Sequence, residues 1–166
     1  MTPDWLVLNL SSFQLYGLIF LLGSFTVASL SDLKRMSAQS EFVEVWVLCL
    51  IGFIVLDLWK LGDIENFQFM LKWGLIIVFI VLSNSRIGLI FKLAMGDVMA
   101  CAVVMALLTP AFIIIFILIL KLFDLLFRPI LRGFGNRDAY PFMPVVLAAT
   151  LAVIAIVFYL NGQIAF

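Results

Sequence analysis

The chain of 166 residues contains no histidine and only two cysteines. Without histidine, the commonest general base and the commonest metal ligand are both missing, so any acid–base chemistry must fall to other side chains. The cysteines, Cys49 and Cys101, are far apart inside apolar stretches and lack the spacing of a zinc or redox motif, so they read as small buried hydrophobes and no metal or cofactor is expected. Charge is scarce too: 12% of residues are charged, and ten basic side chains balance ten acidic ones, which gives nothing to attract nucleic acid. No Lys or Arg precedes Lys34, so the first apolar stretch lacks the basic start of a cleaved secretory signal and is expected to stay in the protein.

What the chain has instead is hydrophobicity, at 66% of its residues, which places it in a lipid bilayer. A membrane-crossing helix needs about 20 apolar residues. Six stretches approach this length, at 13–31, 43–61, 68–84, 88–109, 111–127 and 141–160, separated by SDLKR, KLGDIEN, SNSR, TP and LRGFGNRDAYP. The expectation is an all-α, polytopic membrane protein with about six transmembrane helices, residues 1–166 forming one domain. The Thr109–Pro110 break could instead mark a kink. A single helix over 94–126 would be about 50 Å long against a hydrocarbon layer of about 30 Å, and basic residues flank both of its ends, so a helical hairpin is expected.

Lys34, Arg35, Arg86, Lys92, Lys121, Arg128, Arg132 and Arg137 then fall at one face and only Lys60 and Lys72 at the other, which makes the first face cytoplasmic and puts both termini outside. The same topology puts Asp32, closing the first span, level with Asp97, near the start of the fourth. If that span is helical from Lys92 onward, Asp97 lies about 7.5 Å below the cytoplasmic interface, within reach of water.

Asp97 is the anomaly, a charged residue within LAMGDVMA and with no basic neighbour nearer than Lys92. Acids inside membrane helices are costly and mark functional sites unless partnered. Other acids have plainer readings. Asp4, Asp57, Asp63 and Glu65 are expected at solvated ends, and Asp124, one turn from Lys121 and from Arg128, reads as part of a surface ion pair. Two carboxylates brought together share one proton, so that one serves as base toward water while the other serves as acid. Asp32 and Asp97 would thus supply both proton transfers of an aspartyl protease without histidine. A transporter or proton channel would also use such acids, although the chain lacks the matching halves common in transporters.

The order of these elements resembles a known family. SDLKR closing the first helix, Trp46 after it, MGDV opening a later helix and YPFMPVVLA opening the last are similar to the type IV prepilin and archaeal preflagellin peptidases, the GxGD aspartyl proteases. The resemblance covers roughly residues 25–150. It implies Asp32 and Asp97 as catalytic aspartates, Gly96 as the glycine before the second, and Pro141, Phe142 and Pro144 as an element packed near the site. The family's other glycine corresponds to Ala94 here, and the Pro-Asn that often follows the first aspartate is absent from MSAQSEF. Ala94 is read as a tolerated small residue at a close helix contact, with a helical rather than a positive φ.

By this likeness the enzyme would cut the short basic leader from pilin-like or flagellin-like precursors at the cytoplasmic face of the plasma membrane, with Glu41 and Glu44 drawing leader lysines. Both glutamates also suit an ordinary solvated face. The loop RPILRGFGNRDAYP, with Gly133 and Gly135, suits a gate or a plain connector. The chain has no room for the cysteine-rich segment tied to N-methylation in full-length bacterial enzymes, so a peptidase without methyltransferase activity is implied, closer to the short archaeal form. A catalytically silent scaffold in pilus assembly would share the fold.

Overall fold

The computed structural model describes residues 12–35, 40–59, 66–84, 88–89, 91, 93–131 and 141–162. They form six helices: α1 (Ser12–Arg35), α2 (Ser40–Trp59), α3 (Asn66–Ser83), α4 (Met95–Met105), α5 (Pro110–Leu131) and α6 (Met143–Gly162). The fold is all-α, and the β structure among the described residues is one isolated bridge between Asn84 and Leu93. Three helices, α1, α2 and α5, are long and apolar enough to cross a membrane, while α3, α4 and α6 carry shorter apolar stretches. Large apolar side chains such as Ile19, Leu48 and Leu118 cover the outer faces of those three helices.

α4 is packed among four of the five longer helices. α1 packs on α2 and α6, α5 packs on α3 and α6, and α4 touches α2, α3, α5 and α6. Sequence explains the placement. Residues Val98–Met105 of α4 are apolar on every side, and all of them are buried, as expected for a helix without a polar face. Ala100, Cys101 and Ala102 are small enough to let neighbouring helices come close.

The fourth span corrects the expectation. The sequence predicts a span over 88–109, yet α4 has 11 residues and begins at Met95, about 16 Å of helix. The reason lies at the end of α3, whose last carbonyls have no intrahelical donors. The returning chain serves them: Leu82, Ser83 and Asn84 carbonyls accept from the N–H groups of Leu89 (3.1 Å), Leu93 (3.1 Å) and Gly88 (2.8 Å). Gly88 makes the reversal with φ +57, a backbone region that favours glycine. A helix begun at 88 would forfeit these bonds.

At the other end of α4 the Thr109–Pro110 break does separate two helices. The last turn tightens through Leu107 N–H to Val104 O and Leu108 N–H to Met105 O, both 3.0 Å. Pro110 then opens α5, where a missing N–H costs nothing.

Trp46 fastens α2 to α1. It is fully buried, its indole N–H donates to Ser24 Oγ at 3.0 Å, and its ring meets Phe25 edge-on and stacks on Phe42. Ser24 passes the bond on to the Leu21 carbonyl at 2.8 Å, so the only polar atom of the indole is satisfied within an apolar seam.

Two acids were misjudged. Asp57, expected at a solvated end, is buried; its Oδ2 accepts from Lys72 Nζ at 2.7 Å and Trp73 Nε1 at 3.2 Å, joining the end of α2 to the first turns of α3. Asp124 does pair with Arg128, at 2.7 Å and one turn apart, but it is fully buried rather than on the surface. Burial follows from its side of α5, which it shares with the core residues Phe116 and Leu120.

Candidate active site

Asp32 lies in the last turn of α1 and is buried. Its Oδ2 accepts a hydrogen bond from the Met143 backbone N–H at 3.2 Å, and the Phe142 N–H also serves this carboxylate. The sequence at the start of α6 makes this contact necessary. Four N–H groups at a helix start lack intrahelical acceptors. Here Pro144 has none to offer, and Val145 and Val146 donate to the Phe142 carbonyl at 2.9 and 3.2 Å. The N–H of Met143 is left, and Asp32 takes it, with its negative charge at the positive end of the α6 dipole. Pro141 and Phe142 are buried and Pro144 is half-buried, so the Pro-Phe-Met-Pro element is held firmly beneath Asp32.

Phe142 is locked in turn by an aromatic ladder. Its ring meets Phe91 at 6.1 Å, and Phe91 meets Phe79 of α3 at 6.2 Å. Lys121 of α5 lays its ammonium 4.7 Å from the centre of the Phe91 ring. A cation over an aromatic face is attracted by the ring quadrupole. The irregular stretch before α4 is thereby tied to α3, α5 and α6.

Asp97 is the third residue of α4 and is half-buried. The Ala94 carbonyl, at the residue that opens the helix, accepts from Val98 at 3.1 Å. Asp97 in the first turn is an acid where it suits both the free N–H donors, that of Ala94 nearest, and the helix dipole. It is also close enough to Asp32 for the two charges to interact. The ends of α1, α4 and α6 thus converge on two carboxylates, one anchored by α6 and one by its own helix.

The remaining expected site residues divide. Gly96 sits within the first turn of α4, half-buried; among the described residues the left-handed glycine is Gly88 instead. Ala94 is exposed rather than at a close helix contact; its φ of −65 is the helix-like value expected, while ψ 156 makes the residue extended. Helix opening explains this, since the residue before the first turn takes the β region. The placement of Asp97 by helical rise from Lys92 falls for the same reason, because α4 starts only at Met95. Glu41 and Glu44 are exposed in the first turns of α2, at the end of the bundle that holds Asp32. Of the suggested gate, residues 128–141, the first four belong to α5, and 132–140 lie outside the described residues, as do Asp4, Lys60, Asp63, Glu65, Arg86, Lys92, Arg132 and Arg137.

Sequence reasoning missed the Met143 and Phe142 N–H groups, because backbone donors carry no residue signature; the prolines on either side were the available signal. It also missed Phe91 and the Lys121 contact. Among the described residues, no three His, Cys, Asp or Glu side chains gather as a metal site. No family model, curated protein or solved structure matches this chain.

Proposed function

We propose that the chain is a multi-pass membrane aspartyl endopeptidase that removes the short basic leader of type IV pilin-like or archaeal flagellin-like precursors at the cytoplasmic face, with both of its own termini outside. The observation that carries the reading is that Asp32 and Asp97, from helices remote in sequence, lie near enough for the charge of Asp32 to act on Asp97, with Asp32 bonded to the start of α6 and Asp97 in the first turn of α4. Asp32 in SDLKR, Asp97 in MGDV and the Pro141–Pro144 element are also the residues on which the resemblance to prepilin and preflagellin peptidases rests.

In this mechanism the ionised member of the pair takes a proton from water as the water oxygen attacks the scissile carbonyl carbon. The protonated member gives its proton to the carbonyl oxygen. Collapse of the tetrahedral intermediate breaks the C–N bond, the amine leaves with a proton from the pair, and a hydroxyl of the intermediate returns its proton to the pair as the new carboxyl forms, so the two carboxyls again hold one proton between them. The Met143 N–H fixes one side of Asp32, and Asp97 is held in the first turn of α4. Precursor leaders would approach past the exposed Glu41 and Glu44.

The test is incubation of the purified protein in detergent or liposomes with a panel of prepilin-like and preflagellin-like precursors, read by intact mass. Loss of the mass of a short basic leader is expected. Precursors that all stay intact, beside a working peptidase as control, would overturn the reading.

A further inference from the structure

Helical serine and threonine in an apolar setting usually turn the hydroxyl back onto their own helix. Three do so here: Ser24 to the Leu21 carbonyl, Thr26 to the Leu22 carbonyl and Thr150 to the Val146 carbonyl. Ser29 does not. It lies on α1 between Thr26 and Asp32, it is more than nine-tenths buried, and its Oγ has no hydrogen-bond partner in the protein. Ser83 is the other buried hydroxyl in this state among the described residues, but it is not on a helix that carries either aspartate.

Ser29 is three residues before Asp32, and side chains at that spacing are neighbours on one helix face. One oxygen of Asp32 is committed to the α6 backbone. A hydroxyl is both donor and acceptor, so beside such a carboxylate it can hold a water by its oxygen while the carboxylate takes the water's proton. A buried hydroxyl that makes no bond within the fold costs stability, and a reactant that completes it is one physical reason for its presence.

From this placement we propose that Ser29 is a positioning residue that holds the attacking water beside Asp32. The proposal rests on the aspartyl-peptidase reading, and it adds a third side chain to the two carboxylates. Ser29 touches no peptide bond itself; it fixes where the water oxygen stands while Asp32 and Asp97 exchange protons.

The test compares wild type, Ser29→Ala, Ser29→Thr and Asp32→Asn for kcat, KM and thermal midpoint in the same detergent. Ser29→Ala is expected to lower kcat roughly 10- to 100-fold, with KM changed less than about threefold, since a misplaced reactant slows the step without loosening the precursor. Its thermal midpoint should equal or exceed that of wild type, because the lost hydroxyl bonds nothing in the resting protein. Ser29→Thr, which restores the hydroxyl, should recover most of kcat. If wild type cleaves and Asp32→Asn does not, a Ser29→Ala enzyme with normal kcat overturns this role and leaves the peptidase reading standing. So does a lowered midpoint with activity falling only in step with the folded fraction, or a folded threonine variant as slow as alanine. A wild-type protein that cleaves no precursor removes both readings together.

Discussion

Asp32, in the last turn of α1, accepts a hydrogen bond at 3.2 Å from the backbone N–H of Met143, 111 residues further along the chain. A side chain and a peptide group so far apart in sequence meet because one helix ends where the other begins. The bond fixes the first aspartate against the last helix, and it gives a crosslinking prediction. In a background lacking Cys49 and Cys101, cysteines at 32 and 97 should be joined by a short bifunctional reagent, and cysteines at 32 and 143 likewise. Disulfides need Cα atoms about 4.4 to 6.8 Å apart, so the reagent rather than oxidation is the decisive arm. Absence of the 32–97 product, with the 32–143 product present, would separate the two aspartates.

Asp32→Asn and Asp97→Asn should each abolish leader removal while membrane insertion persists, because asparagine keeps the shape but cannot exchange the proton. Asp97→Asn should also cost some stability, since a neutral amide caps a helix start less well than a carboxylate. Cleavage of a mass-tagged precursor by membranes containing equal amounts of each protein reads the first effect. Turnover near wild type in either variant would remove that residue from the pair.

The Asp124–Arg128 pair should respond unequally to loss of its two members. Asp124 is fully buried, whereas the Arg128 side chain is 40% exposed. Arg128→Leu strips a buried carboxylate of this cation, and breaking a buried pair in this way costs about 3–5 kcal/mol. Asp124→Asn leaves a cation that can extend toward the headgroups, so its cost should be clearly smaller. Thermal unfolding in detergent checks the order, and both variants should cleave normally once folded. Loss of cleavage by a stable Asp124→Asn protein would show that this acid serves the site.

Trp46→Phe should lower stability by about 1 kcal/mol for the lost hydrogen bond to Ser24, with an added cavity cost, and Trp46→Ala by about 3–5 kcal/mol. Ser24 keeps its bond to Leu21, so the phenylalanine variant strands no buried hydroxyl. A denaturation midpoint unchanged in Trp46→Ala would mean that the α1–α2 seam does not carry the fold.

Ala94→Gly should change the cleavage rate no more than a few-fold. At φ −65 the position asks for no glycine, and its exposed methyl opposes no neighbouring helix. A large gain on introducing glycine would mean that the substrate, rather than another helix, comes close to this backbone.

The number, type and order of the helices were legible because a long apolar run has few ways to satisfy its peptide groups in an apolar medium. Thr109–Pro110 was legible as a hairpin because proline at a first helical turn has a plain steric reason. The start of α4 was not. The run from Gly88 to Ala94 is as apolar as a span, and what unwinds it is the demand of three carbonyls at the end of α3, which belong to another helix. The two aspartates stood out by type and position, whereas the N–H groups that hold them did not. The burial of Asp57 and Asp124 was missed for a related reason: local spacing identifies an ion pair, but the packing of neighbouring helices decides how much water reaches it.

The shortness of α4 bears on how such a chain is assembled. Eleven residues give about 16 Å of helix, roughly half the thickness of a hydrocarbon layer, so α4 gains little by entering lipid alone. Its start hangs on the end of α3, and its end is stapled through a tight turn to the long apolar α5. A ribosome-bound chain that ends before Leu131 would therefore lack the helix that carries α4 inward. The aspartate at position 97 would therefore take its place beside Asp32 only after α5 and α6 have been made, since Asp32 is held by the first residue of α6.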